Sequence, residues 1–327
     1  MKRRNYLGIA VSLAALAWVF YTYDLTELTA AMADARGAYL AAALGVLVVA
    51  FLLRALRWRI IFAAEARPSR WNAFSAMMVG YLFNNLMPAR AGELVKVYLL
   101  GRVAGTSKSM VLGTVVVDKA ADLAVFAALL ALVIQGRAVP DWIARSALTL
   151  VGVGSVAVVA LITFPGLARN AGRLVAPALK ALPARIAEAL RNAAHSFLDG
   201  IHGLARPAAA TKFVGYSAVI WLAEVAIVGM VAQAFGLPLG PGEALFVLLV
   251  IAAGTMIPSS PGYIGTFEVF GLMAMELIGR GGTMALGFVV TLHATTLLGS
   301  SVLGALCLAA IRRDAKIPPH TADLLKE

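Results

Sequence analysis

Pro258–Glu268 reads PSSPGYIGTFE and lies between two short apolar runs, Ala244–Ile257 and Thr266–Ile278. A helix that crosses a bilayer needs roughly 20 apolar residues, and neither run reaches that length. Together they make a chain that enters a membrane and turns back. The turn carries Pro258, Pro261, Gly262, Gly265 and Glu268. Irregular backbone at membrane depth survives only inside protein or beside a water-filled cavity. The tip is therefore expected among other helices, with Glu268 at or near it.

A looser version stands earlier in the chain. Asn84–Glu93 reads NNLMPARAGE and separates Ala73–Met87 from Leu94–Val103, again runs too short to span singly. Pro88, Gly92 and Glu93 follow the same order as Pro258, Gly265 and Glu268. Two interrupted apolar pairs in corresponding halves point to an inverted-repeat transporter with its site at the breaks. The pairs run over about 73–103 and 243–279. The alternative makes both breaks ordinary loops between complete helices.

Composition agrees with a membrane setting. Of 327 residues, 61% are hydrophobic and 14% charged, with a mean hydropathy of +0.85, which leaves little for a soluble domain. Residues 1–327 read as a single transmembrane domain. Cys307 is the sole cysteine, so neither a disulfide framework nor a cysteine metal site can be built, and no metal or cofactor is expected. The net charge of +11 would suggest nucleic acid in a soluble protein. Here the basic residues cluster at helix ends, where topology and anionic lipid headgroups at the cytoplasmic face explain them. The expected partner is a membrane lipid, not nucleic acid, with a homo-oligomer left open.

Taken in order, Tyr6–Tyr23 reads as an uncleaved first helix after a basic start, and Tyr39–Phe62 as the second span. Arg54, Arg57, Arg59, Arg67 and Arg70 near its end read as a cytoplasmic signal. The first broken pair follows, then Ser109–Ile134 outward and Trp142–Phe164 inward. Leu167–Pro207 is a basic amphipathic segment expected on the inner leaflet. Lys212–Phe235 spans outward, the second broken pair enters from outside, and Met284–Ile311 returns to Arg312 and Arg313. The fold class is all-α and polytopic: about six transmembrane helices plus two oppositely oriented re-entrant pairs, both termini cytoplasmic. Eight or more full spans would keep the termini inside but need several short helices.

Ionisable residues inside such segments are costly and mark function. They are Arg90, Glu93 and Lys96 in the first pair, Asp118, Lys119 and Asp122 in the third span, Glu224, Glu268 and His293. Asp118 and Asp122 share one helix face and need a cation between them, with Arg90, Lys96 or Lys119 as candidates. Glu93 and Lys96 can pair on their own helix. Glu224 has no motif around it, and the isolated His293 reads as a satisfied packing residue. Helix amino ends at the breaks favour anions. Arg90 and Lys96 would therefore hold a headgroup phosphate, while Asn84 and Asn85 add hydrogen bonds. Glu93, Asp118, Asp122 and Glu268 would order the cations or exchange protons. Zinc-protease, nucleophile-elbow, phosphate-loop and DxD motifs are missing, which argues against an enzyme. A membrane enzyme acting on a lipid-linked sugar and a non-transporting assembly factor are the competing classes.

GYLFNNLMPARAGELVKVYLLGR at Gly80–Arg102, DKAAD at Asp118–Asp122 and PGYIGTFE at Pro261–Glu268 resemble the flippase-like membrane family. That family includes the transmembrane part of bacterial lysylphosphatidylglycerol synthases, the multiple peptide resistance factor, and many stand-alone relatives. Two departures stand out: Lys96 replaces a common arginine, and Asp118–Lys119 stands for Glu-Arg. Charge signs are kept, but two-pronged phosphate gripping is weakened. The resemblance implies a stand-alone lipid translocase of the bacterial inner membrane, without the aminoacyl-transferase domain. Its cargo would be a phospholipid, an aminoacyl lipid or an isoprenoid-type amphiphile.

Overall fold

The computed structural model describes residues 32–63, 66–87, 91–134, 206–256 and 260–314, with isolated positions between 149 and 196. Outside the described residues lie the expected first helix, nearly all of Trp142–Phe164 and of the amphipathic segment, and Pro88, Arg90 and Pro258. The described elements are all helical. They are α1 (Gly37–Ile61), α2 (Arg70–Leu86), α3 (Gly92–Val103), α4 (Lys108–Ile134), α5 (Pro207–Ala234), α6 (Pro241–Thr255), α7 (Thr266–Leu277) and α8 (Thr283–Asp314), with a 3-10 turn at Pro261–Tyr263. Three of them, α1, α5 and α8, are long and apolar enough to cross a membrane. At 27 residues α4 has the length as well, but carries Asp118, Lys119 and Asp122 in its middle.

The helix starts follow from local chemistry. Pro207 and Pro241 open α5 and α6, where a missing N–H goes unnoticed and φ is already set. The hydroxyl of Ser69 accepts from the Asn72 amide at 3.0 Å and caps α2. Glu243 and Glu268 each reach back three residues to an amide at the helix start, Gly240 at 2.9 Å and Gly265 at 2.7 Å.

The shorter helices, 17, 12, 15 and 12 residues long, form two consecutive couples, α2–α3 and α6–α7. Each couple begins and finishes at one end of the bundle. Asn72 near the start of α2 donates to the Val103 carbonyl at the end of α3 (3.3 Å). Arg280, just past α7, meets Glu243 in the first turn of α6 at 3.4 Å. The start of α1 and the end of α5 share an end too, through the Arg36 amide and the Ala234 carbonyl at 2.9 Å. Since α1 leads into α2 and α5 leads into α6, the couples enter from the two opposite ends of α1.

Small residues let the helices close up, as membrane helices require. A Cβ on Gly92 would collide with the Gly80 carbonyl oxygen and crowd the Asn84 amide, so α3 lies against the backbone of α2. Gly271 seats Val289 between α7 and α8, and Gly304 brings α8 onto the Met78 carbonyl of α2. The tips of the couples also meet: a Cβ on Gly262 would stand 3.6 Å from the Asn85 carbonyl.

Candidate functional site

Where the tips meet, a cavity of about 350 Å³ opens between the helices. Four charged side chains line it, and they are paired with one another or with a buried neighbour. From α1, Arg54 donates to Glu224 of α5 at 2.8 Å. From α3, Glu93 takes Lys119 of α4 at 3.1 Å and, on its inner side, Lys96 at 2.8 Å. The lysines differ sharply: the Lys96 side chain is 2% exposed and lies 4.8 Å over the Trp58 ring, whereas that of Lys119 is 43% exposed. The four lining charges sum to zero. The cavity is a polar but neutral chamber in an apolar bundle.

Of the residues singled out in the sequence, Asn84, Asn85, Glu93, Lys119, Glu224, Gly262 and His293 line this chamber. The Asn84 amide N–H reaches Glu93 at 3.4 Å, and its carbonyl oxygen is buried without a partner. The Asn85 amide is committed to α8, donating to Ser300 and Ser301 at 2.9 Å each and to the Leu297 carbonyl at 3.3 Å. Lys96, Asp118, Asp122 and Glu268 stand behind the wall. Gly92 is the contact between α2 and α3, Pro261 opens the 3-10 turn, and Gly265 (φ 91°) begins α7.

The cation between Asp118 and Asp122 is none of the three expected. It is Arg57, 1% exposed, whose guanidinium donates to Asp122 at 2.6 Å, Asp118 at 2.9 Å and Ser217 at 3.1 Å and packs 4.9 Å over the Phe213 ring. Arg54 and Arg57 therefore do not belong to the cytoplasmic charge cluster to which their position assigned them. Because α1 continues to Ile61, a full turn past Arg57, both guanidinia are still inside the helical bundle. Sequence reasoning had a signal for this. Five acidic groups within the membrane segments outnumbered the cations assigned to them, and arginines three apart in an apolar run were the unspent supply.

His293 is more than packing. Its ring is buried, stacks on Phe267 with centroids 4.2 Å apart, and makes two short contacts, Nδ1 to Glu268 Oε1 at 2.6 Å and Nε2 to the Gly262 carbonyl at 2.7 Å. The second contact holds a turn in which Gly262 (φ 68°) and Tyr263 (φ 60°) are both left-handed. For tyrosine that conformation costs about 1–2 kcal/mol, so the neighbours of the turn impose it.

The chain matches known proteins over most of its length. The family model described as the lysylphosphatidylglycerol synthase TM region matches residues 5–304. Glycosyltransferase AglD of Haloferax volcanii is 26% identical over 293 residues, which are 80% of this chain and 47% of that one. A UPF0104 membrane protein of Methanothermobacter thermautotrophicus is 24% identical over 284 residues, 82% of this chain and 84% of that one. The chain thus spans about half of the first relative and most of the second. No solved structure matches it.

Proposed function

Because the chain belongs to the family of the lysylphosphatidylglycerol synthase TM region, we propose that it is an integral membrane protein of the bacterial inner membrane that moves an amphiphilic lipid between leaflets. The observation that carries this reading is the neutral polar chamber at the meeting point of two broken helix couples. A lipid headgroup needs polar partners to leave water, and an apolar bundle has no structural use for such a space. The couples act as re-entrant walls from opposite faces, with both termini cytoplasmic and about six full spans around them. Rocking one couple against the other opens the chamber to one leaflet at a time, while the tails stay in lipid. The headgroup exchanges contacts with Lys119, Glu93 and the free carbonyl of Asn84. Arg90, beside the first break, adds a grip on phosphate. The basic cytoplasmic face holds anionic headgroups near the entrance.

Reconstituted vesicles carrying a labelled lipid test this directly. Leaflet exchange per folded protein should fall about tenfold or more in Glu93→Gln, Lys119→Met and Arg90→Ala, the loss expected from one charge-assisted contact. Full exchange in all three would remove the chamber from the path. The word glycosyltransferase in the AglD relative's name favours sugar transfer, and with it a second reading, a membrane enzyme acting on a lipid-linked sugar. Transfer of a labelled sugar to a polyprenyl phosphate by the purified protein would establish it.

A further inference from the structure

The His293–Glu268 pair has a proton inventory that its geometry constrains. The Gly262 carbonyl cannot donate, so the 2.7 Å contact requires a hydrogen on Nε2. The 2.6 Å contact to Glu268 requires a second hydrogen between Nδ1 and Oε1, whichever atom owns it. The pair as found therefore holds two protons and no net charge. The other Glu268 oxygen is occupied by the Gly265 amide at 2.7 Å and takes no part.

One of these protons can leave to water in the chamber, which His293 itself lines. The pair then carries one negative charge and a single ring hydrogen for two acceptors. If that hydrogen stays on Nε2, the bare Nδ1 faces a carboxylate. If it stays on Nδ1, the bare Nε2 faces the Gly262 carbonyl. A hydrogen bond to a carboxylate is roughly twice as strong as one to a neutral carbonyl, so the Gly262 side is released. We propose that His293 and Glu268 form a binding site for one coupling proton, and that its departure frees the Gly262–Tyr263 turn from α8 and changes the shape of the chamber.

The surroundings favour a decisive switch. The titratable groups sharing the chamber are Arg54 of α1, Tyr81 of α2, Glu93 of α3, Lys119 of α4, Glu224 of α5 and Tyr263 of the turn. Arg54 is spent on Glu224 and Lys119 on Glu93, so neither cation is available to neutralise the deprotonated pair. The left-handed turn supplies the moving part, because its conformation depends on being held. This inference rests on the translocase reading for its purpose, and on the pair alone for its existence.

A nitroxide on a cysteine at Ile264, which is 41% exposed beside the turn, reports on the switch in a Cys307→Ala background. In the full-length protein in vesicles, the mobile fraction should rise with pH along a one-proton curve, from about a tenth to about nine tenths over about 2 pH units. In Glu268→Gln the amide donates to Nδ1 and the ring keeps its Nε2 hydrogen, so the nitroxide should stay immobile throughout. His293→Gln, which cannot titrate, should show no transition either. A wild-type spectrum that ignores pH, or a transition that survives Glu268→Gln, overturns the switch. Lipid exchange is measured separately in the same vesicles under an imposed pH gradient, which should accelerate the wild type and leave Glu268→Gln unaffected. A titrating nitroxide with no lipid exchange under any gradient overturns the translocase and leaves the proton site standing. Exchange that proceeds beside a static nitroxide overturns the proton site alone.

Discussion

At the scale of single residues, Arg57 is the side chain on which most depends. It joins α1, α4 and α5 by satisfying two carboxylates and a hydroxyl from a site almost closed to solvent. Removing one partner from a buried ion pair leaves a stranded charge and costs about 3–5 kcal/mol. Arg57→Ala should accordingly lower the melting temperature and folded yield of detergent-purified protein. Adding Asp118→Asn and Asp122→Asn should recover most of that loss. A thermal-shift series on the single and triple variants checks both statements, and an unaffected Arg57→Ala would contradict the ion-pair account. The residue also marks how far the sequence can be read. That Asp118 and Asp122 need a shared cation follows from their spacing of four. Which cation it is does not, because Arg57 stands 61 residues away and looks identical to the basic anchors that follow it. Glu93 and Lys96 were legible, being three apart on one helix. The contacts of His293 were not, since one partner is a backbone carbonyl that any residue could supply.

At the scale of elements, the breaks were visible in advance because proline and glycine interrupt apolar runs too short to span. Their packing was not, since glycine writes a close approach and a turn in the same letter. Gly92 serves the first purpose and Gly265 the second. The difference is testable. Gly92→Ala places a methyl on the Gly80 carbonyl and should destabilise the α2–α3 couple by about 1–3 kcal/mol or more. Gly45→Ala on α1, whose added carbon meets nothing within 4 Å, should hold its stability or gain up to about 1 kcal/mol from helix propensity. Differential scanning fluorimetry of the two variants side by side decides it. Equal melting would mean that α2 and α3 are not in backbone contact.

At the scale of the whole molecule, the contact of Arg36 with Ala234 ties the start of α1 to the end of α5. Cysteines at Gly37 and Leu239 should therefore react with an impermeant reagent from the same side of the membrane, and one at Ser69 from the opposite side. Labelling of Ser69 from the same side as Gly37 and Leu239 would overturn the opposed entry of the couples. The same long-range pairing bears on how the protein is made. Glu224 follows Arg54 by 170 residues, and synthesis at 5–20 residues per second leaves roughly 10–30 seconds between them. During that interval the Arg54 guanidinium has no counter-charge from α5, and a long cationic side chain reaches for the headgroups. The newly inserted α1 should then ride shallow in the bilayer, and sink to its final depth only when α5 emerges from the ribosome and draws the charge inward.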